Sequence, residues 1–143
     1  MKKIFIIILL FATILPTFAT IWEQVSEKSW IDIDSIEPFI DDYGNAVPNQ
    51  YSFWVKTLNN GSQGWRSDEK KFNKKIWYML SKDVIDIKRK TSAMKFFVYY
   101  DLNEKCITSE EIPFVFMNWY SIIPNTVGEY EYEIISNYVQ KRR

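Results

Sequence analysis

Nine basic side chains stand against four acidic ones between Arg66 and Lys90, a local surplus of +5 in a chain whose formal net charge is zero. The densest part is Lys70, Lys71, Lys74 and Lys75, with Phe72 and Trp77 beside it. Same-sign charge next to aromatic rings suits a polyanion such as a heparan-type glycan, lipopolysaccharide or nucleic acid, and the competing reading is a solvated charged loop. Trp54, Trp65 and Trp77, with Tyr51 and Tyr78, form a second candidate set. Their rings suit a stacking platform for sugars or a protein partner, or else core packing and loop pinning.

Catalytic chemistry is poorly supplied. The chain contains no histidine, which removes the commonest general base, the commonest metal ligand and every Ser-His or Cys-His nucleophile pair. A carboxylate-only glycosidase needs just two acids facing each other across a cleft, yet none of the 18 acids is singled out by spacing. Neighbours in an extended segment point apart, so Asp41-Asp42 reads as a solvated loop. Asp32 and Asp34 share a face if extended and read as a cap for the following turn, or as a pair of carboxylates that could hold a cation. Cys106 is the lone cysteine, so no internal disulfide forms and no partner base activates it. No catalytic residue, metal ligand or cofactor is expected.

The elements that must position these residues follow from periodicity. Ile21 to Ser26 alternates and reads as a strand, Ser29 to Asp32 as a second extended piece, and Asp34 to Pro38 as a turn or single helical turn, since proline forbids a long helix. Asp41 to Gln50, with Gly44, Asn45 and Pro48, reads as an exposed hairpin loop. Tyr51 to Leu58 is a strand with Tyr51, Phe53, Val55 and Thr57 on one face and Ser52, Trp54, Lys56 and Leu58 on the other. Asn59 to Lys75 reads as a long loop pinned by Trp65 and Phe72. Two strands, Ile76 to Leu80 and Val84 to Lys88, flank Ser81-Lys82-Asp83, and a hairpin joins Ser92–Tyr100 to Cys106–Ser109. The period then changes. Thr126 three residues before Glu129 is a capping-box spacing, and Val127, Tyr130, Ile134 and Tyr138 recur at helical intervals, with acids early and Lys141-Arg142-Arg143 at the end. This is an α+β chain: an antiparallel sheet of about five to six strands with a C-terminal helix packed on it.

Residues 1–19 carry an export pattern: Lys2 and Lys3, the apolar run Ile4 to Leu15, Pro16, and Thr17-Phe18-Ala19 as a small-x-small cleavage site. The mature domain is expected to span 20–143, periplasmic or extracellular, without a lipidation cysteine and without a spanning segment after cleavage. Its charge, 16 basic against 18 acidic residues once Lys2 and Lys3 are gone, gives no global reason to expect specific nucleic-acid binding.

Ordered along the chain, Trp22-x-x-Val25, Trp30-x-Asp32-x-x-Ser35-Ile36, Trp54-Val55-Lys56, Ile85-Asp86-Ile87-Lys88, Tyr99-Tyr100-Asp101 and Trp119-x-x-Ile122-x-Pro124-x-Thr126-x-Gly128-Glu129 resemble the surface-adhesin protein E family of bacterial exported domains over essentially the whole mature chain. The resemblance implies an antiparallel sheet flanked by a C-terminal helix. It also implies binding of extracellular-matrix and serum proteins, sometimes haem, and a homodimer. The family's cysteine pair falls at Ile87 and around Ser136, so apolar packing takes the place of that disulfide, and only Tyr, Met and Cys106 remain as iron ligands. The combined expectation is a non-enzymatic exported binding module with an unidentified protein or glycan partner; a small carboxylate-dependent periplasmic enzyme and a structural envelope component are the alternatives.

Overall fold

The computed structural model describes residues 20–142, so the export pattern at 1–19 lies outside the described residues. Seven strands form one antiparallel sheet: β1 (Trp22–Ser26), β2 (Ser29–Ile40), β3 (Ala46–Leu58), β4 (Tyr78–Asp86), β5 (Thr91–Tyr100), β6 (Cys106–Glu111) and β7 (Tyr120–Ser121). The spatial order is β1-β2-β3-β4-β5-β6, with β7 paired to β5. Helix α1 (Gln63–Phe72) connects β3 to β4, and α2 (Val127–Lys141) ends the chain. The α+β architecture expected from periodicity is the one observed.

Residues paired across antiparallel strands share a face, so the register separates two surfaces. One face carries Ile31 opposite Val55 and Tyr51 opposite Ile85. There α2 lays down Ile135 and Val139, closing a core with Ile31, Ile36, Phe53 and Ile85. Phe53 and Ile135 are fully buried, and Ile135→Ala would cost about 2–5 kcal/mol in lost transfer energy and cavity formation. Ile87 packs against this cluster. The other face is covered at one end only. Phe39, Val84, Ala93 and Met117 form a second cluster under the 3-10 turn Phe114–Phe116 and its flanks.

Four local expectations are corrected. Asp34 to Pro38 is not a turn but part of β2, bulged between Asp32 and Glu37. There Ser35 Oγ donates to Asp32 O at 2.7 Å and accepts from Trp54 N at 2.8 Å, restoring the ladder's lost hydrogen bonds. Pro38 is tolerated because β1 pairs only with residues up to Asp32, leaving this half of β2 with one neighbour. Second, the Asp41–Gln50 loop contracts to a turn capped by Asp41, whose Oδ1 accepts from Tyr43 N and Asn45 N. Third, the long loop contains α1. Trp65, Asp68 and Phe72 fall on one helical side and meet Tyr99 of β5, while Asn73, in the left-handed region at φ 50°, ends the helix. Fourth, Ser81-Lys82-Asp83 does not break the chain: β4 is continuous and paired on both sides.

The C-terminal helix begins where the sequence predicts, after Thr126, but by a different bond. Thr126 Oγ1 donates back to Ile123 O at 2.6 Å instead of accepting from the helix, and Glu129 Oε2 accepts from Asn125 N at 2.7 Å. Neither reciprocal bond of the capping box is formed: the glutamate reaches back one residue past the cap, to the N–H of Asn125.

Candidate functional site

Helix α1 turns the basic stretch into a groove. Arg66, Lys70, Lys74 and Lys75 line an open depression of about 750 Å3, together with Gln63, Ser67, Glu69 and Asn73. Helical spacing puts Arg66 and Lys70 one turn apart, and the left-handed Asn73 swings Lys74 and Lys75 back beside them. Glu69 is the one acid in the lining, and its charge is already engaged. Its Oε1 accepts from Ile76 N at 3.1 Å, and Oε2 meets Lys75 Nζ at 3.1 Å. These bonds, the backbone donor foremost, hold its carboxyl below the usual range. Lys71 does not line the groove; its Nζ lies over the Phe72 ring at 5.1 Å.

The helix is fixed from beneath. Trp65 packs on Tyr99 with ring centroids 5.6 Å apart, and Tyr99 Oη donates to Asp68 Oδ2 at 2.7 Å. Burial and then the Asp68 carboxylate push the Tyr99 phenol above its ordinary range.

The three candidate tryptophans do not meet on one platform. Trp65 lies under α1, on the sheet face that also carries α2. Trp54 faces the opposite side and meets Phe96 edge-on at 5.8 Å. Trp77 packs edge-on against Tyr78 at 5.3 Å, with Lys56 Nζ 4.5 Å from the Tyr78 centroid. Tyr51 belongs to the α2 core, and Tyr78 stacks on Tyr100 at 4.7 Å. Around Trp54 lies a second groove of about 430 Å3, which Phe96, Glu37, Lys82, Lys95 and Glu111 also line. The alternation of Ser92–Tyr100 places Phe96 on one face with Tyr100, but only the register brings it to Trp54.

The remaining acids divide between turns, ion pairs and the interior. Asp32 Oδ1 accepts from Asp34 N at 3.0 Å, a local bond at the β2 bulge, since the turn it was expected to cap is not formed. Asp42 is not simply solvated: Oδ1 meets Lys95 Nζ at 2.6 Å and Oδ2 accepts from Phe114 N at 2.7 Å. Asp83 and Glu131 were not singled out by spacing. Asp83 pairs with Phe53 and so points toward α2, while Glu131 sits one turn before Ile135 on the sheet-facing side of that helix. Asp83 Oδ1 is shut off from solvent without a partner. Desolvation pushes Asp83 up to about 7, and desolvation with the neighbouring Asp83 charge pushes Glu131 up to about 8. Neither lines any of the grooves described above. Cys106 is exposed and free. Among the described residues no group of three or more acids, histidines or cysteines is placed to hold a metal ion, and no helix is long and apolar enough to cross a membrane.

The architecture is that of a protein E-like domain: one antiparallel sheet with a C-terminal helix across its face. The chain is similar in fold to the structure of Haemophilus influenzae protein E, with 14% identity, a TM-score of 0.53, and coverage of 83% of this chain and 86% of that one. The crystal structure of protein E from non-typeable Haemophilus influenzae gives a TM-score of 0.52 at 13% identity, covering 83% and 78%. No protein-family model matches the chain, and no curated protein matches it. At this identity the likeness establishes the fold, the one implied by the motif order from Trp22 to Glu129.

Proposed function

We propose that this protein is an exported, non-enzymatic binding module acting in the periplasm or outside the cell, and that its α1 groove takes a polyanionic partner. The export pattern of residues 1–19 and the likeness in fold to protein E support the setting. One observation carries the site: Arg66, Lys70, Lys74 and Lys75 line a single open groove whose one acid, Glu69, is paired with Lys75, leaving three positive charges in surplus. Such a surface attracts negative charge over about a Debye length and weakens with salt.

Binding is favoured over catalysis by the position of the two perturbed acids. Asp83 and Glu131 lie between α2 and the sheet, where a substrate would have to displace the helix.

The test is the affinity of the protein for a heparin-derived oligosaccharide across a salt series. Replacing Arg66, Lys70, Lys74 and Lys75 by Gln should weaken binding at least tenfold and flatten its salt dependence, while the circular dichroism spectrum stays unchanged. Unchanged affinity and salt slope would overturn the assignment of the groove.

A further inference from the structure

Five successive strand pairings place six residues in one line across the sheet. Trp22 pairs with Asp32, Asp32 with Trp54, Trp54 with Lys82, Lys82 with Phe96, and Phe96 with Glu111. Because paired residues share a face, this row lies wholly on the surface opposite α1 and α2. The 3-10 turn segment covers that surface only at its far end, over Phe39 and Val84. Aromatic and charged side chains therefore alternate across a part of the sheet that the described residues leave uncovered. Trp22, Trp54 and Phe96 occupy every second strand; the Trp54 and Phe96 side chains lean together, edge-on with ring centroids 5.8 Å apart, into one aromatic corner, and Trp22 stands two strands away from it, about 9.5 Å at the backbone.

Charge complementarity narrows the occupant. The groove around Trp54 holds Glu37 and Lys82 as a pair at 2.8 Å, and Lys95 with Glu111 at 3.2 Å. Lys95 also reaches Asp42 and donates to Ile112 O, so its three N–H groups are all engaged and it offers no free cation. The lining carries no net charge. Its exposed carboxylates, Glu37 at 59% and Glu111 at 70% exposure, retain acceptor capacity, and the Lys82 ammonium retains donors. A fitting ligand has flat apolar faces for the rings, hydroxyls that both donate and accept around its edges, and no charge of its own. It must also be extended enough to cross several strands. The volume near Trp54 lies within the range of about 300–1,000 Å3 seen for small-molecule sites.

We propose that this row is a binding track for a neutral, linear oligosaccharide lying across the strands. Trp54, with Phe96 at its edge, is the central stacking residue and Trp22 the outer one, while Asp32 between the two tryptophans and Lys82 and Glu111 around the Trp54–Phe96 corner bond the hydroxyls. This track is independent of the polyanion groove, which lies on the other face.

Isothermal titration of the protein with neutral β-1,4-linked glucose and N-acetylglucosamine hexasaccharides, and with the matching disaccharides, tests it. At least one hexasaccharide should bind saturably, with an affinity unaffected by salt. Trp54→Ala should weaken that binding at least tenfold and Trp54→Phe much less. Trp22→Ala, on the outermost strand of the sheet, should weaken hexasaccharide binding at least threefold and leave disaccharide binding unchanged; it keeps the test valid if Trp54→Ala misfolds. No saturable binding of either hexasaccharide at millimolar concentration would overturn the proposal. So would equal affinity of the Trp22 and Trp54 variants, or binding confined to anionic glycans or to peptides.

Discussion

Tyr99 of β5 donates its phenol hydrogen to Asp68 of α1 at 2.7 Å, and this bond joins the basic groove to the sheet. Every cation that lines the groove stands on α1 or the few residues after it, so the precision of the site depends on how firmly this helix is held. Trp65 and Phe72 add apolar contact to the same tyrosine.

Tyr99→Phe should keep the aromatic packing and remove only the hydrogen bond. The expected cost is about 1 kcal/mol, in the range for a single partly exposed hydrogen bond, read from a urea unfolding curve. Polyanion binding should fall as well, although no lysine has changed. A variant of full stability and full affinity would show that α1 is held by Trp65 and Phe72 alone.

The two half-buried acids between α2 and the sheet predict a pH dependence. The folded-state values of Asp83 and Glu131 are raised to about 7 and about 8, above unfolded values of about 3.9 and 4.3. Between those limits the folded chain binds more protons than the unfolded one, so stability falls as pH rises from about 4 to about 8. The acids whose values are lowered, Asp41, Asp42, Glu69 and Asp101, act in the opposite sense only below that window. The melting temperature should therefore be higher at pH 5 than at pH 8. Asp83→Asn should flatten the slope, and an equally steep curve in that variant would place the titration elsewhere.

At the start of α2, Glu129→Ala should cost more than Thr126→Ala. Glu129 accepts from the backbone N–H of Asn125, whereas Thr126 donates to a carbonyl outside the helix. A loss of about 0.5–1 kcal/mol is expected for the glutamate at this exposed helix start, with thermal melts of both variants deciding. A larger loss for Thr126→Ala would reverse the assignment.

The lone, exposed Cys106 predicts indifference to redox conditions. Reducing agent should leave the monomer's melting temperature unchanged, since there is no internal cross-link to open. A substantial drop would contradict this.

Legibility in the sequence followed how far each element's chemistry is local. The α2 start was readable because Pro124, Thr126 and Glu129 are helix-initiating residues within one turn of each other. Helix α1 was hidden because its apolar side amounts to Trp65 and Phe72, too sparse for a 3.6-residue period, and Asn60, Gly61 and Gly64 signal a loop. Its helicity depends on Tyr99, more than 25 residues further along. Ser81-Lys82-Asp83 looked like a break because a central strand is not expected to carry three polar residues in a row. They alternate between a buried serine, an ion pair with Glu37 and a carboxylate under α2. The basic residues of the α1 groove were found as a cluster, but Lys71 could not be separated from Lys70 without the helix. The row from Trp22 to Glu111 was not readable at all, since it exists only once five registers are set.

The strand order has a kinetic side. From β1 to β6 each strand pairs with its neighbour in sequence, so the sheet can be assembled hairpin by hairpin, and each closure adds only a modest loop entropy. No crossover has to be threaded and no oxidant has to arrive before the core closes. Such a chain is suited to reaching its native state after being handled fully unwound, and recovery from denaturant should be as complete in reducing buffer as in air.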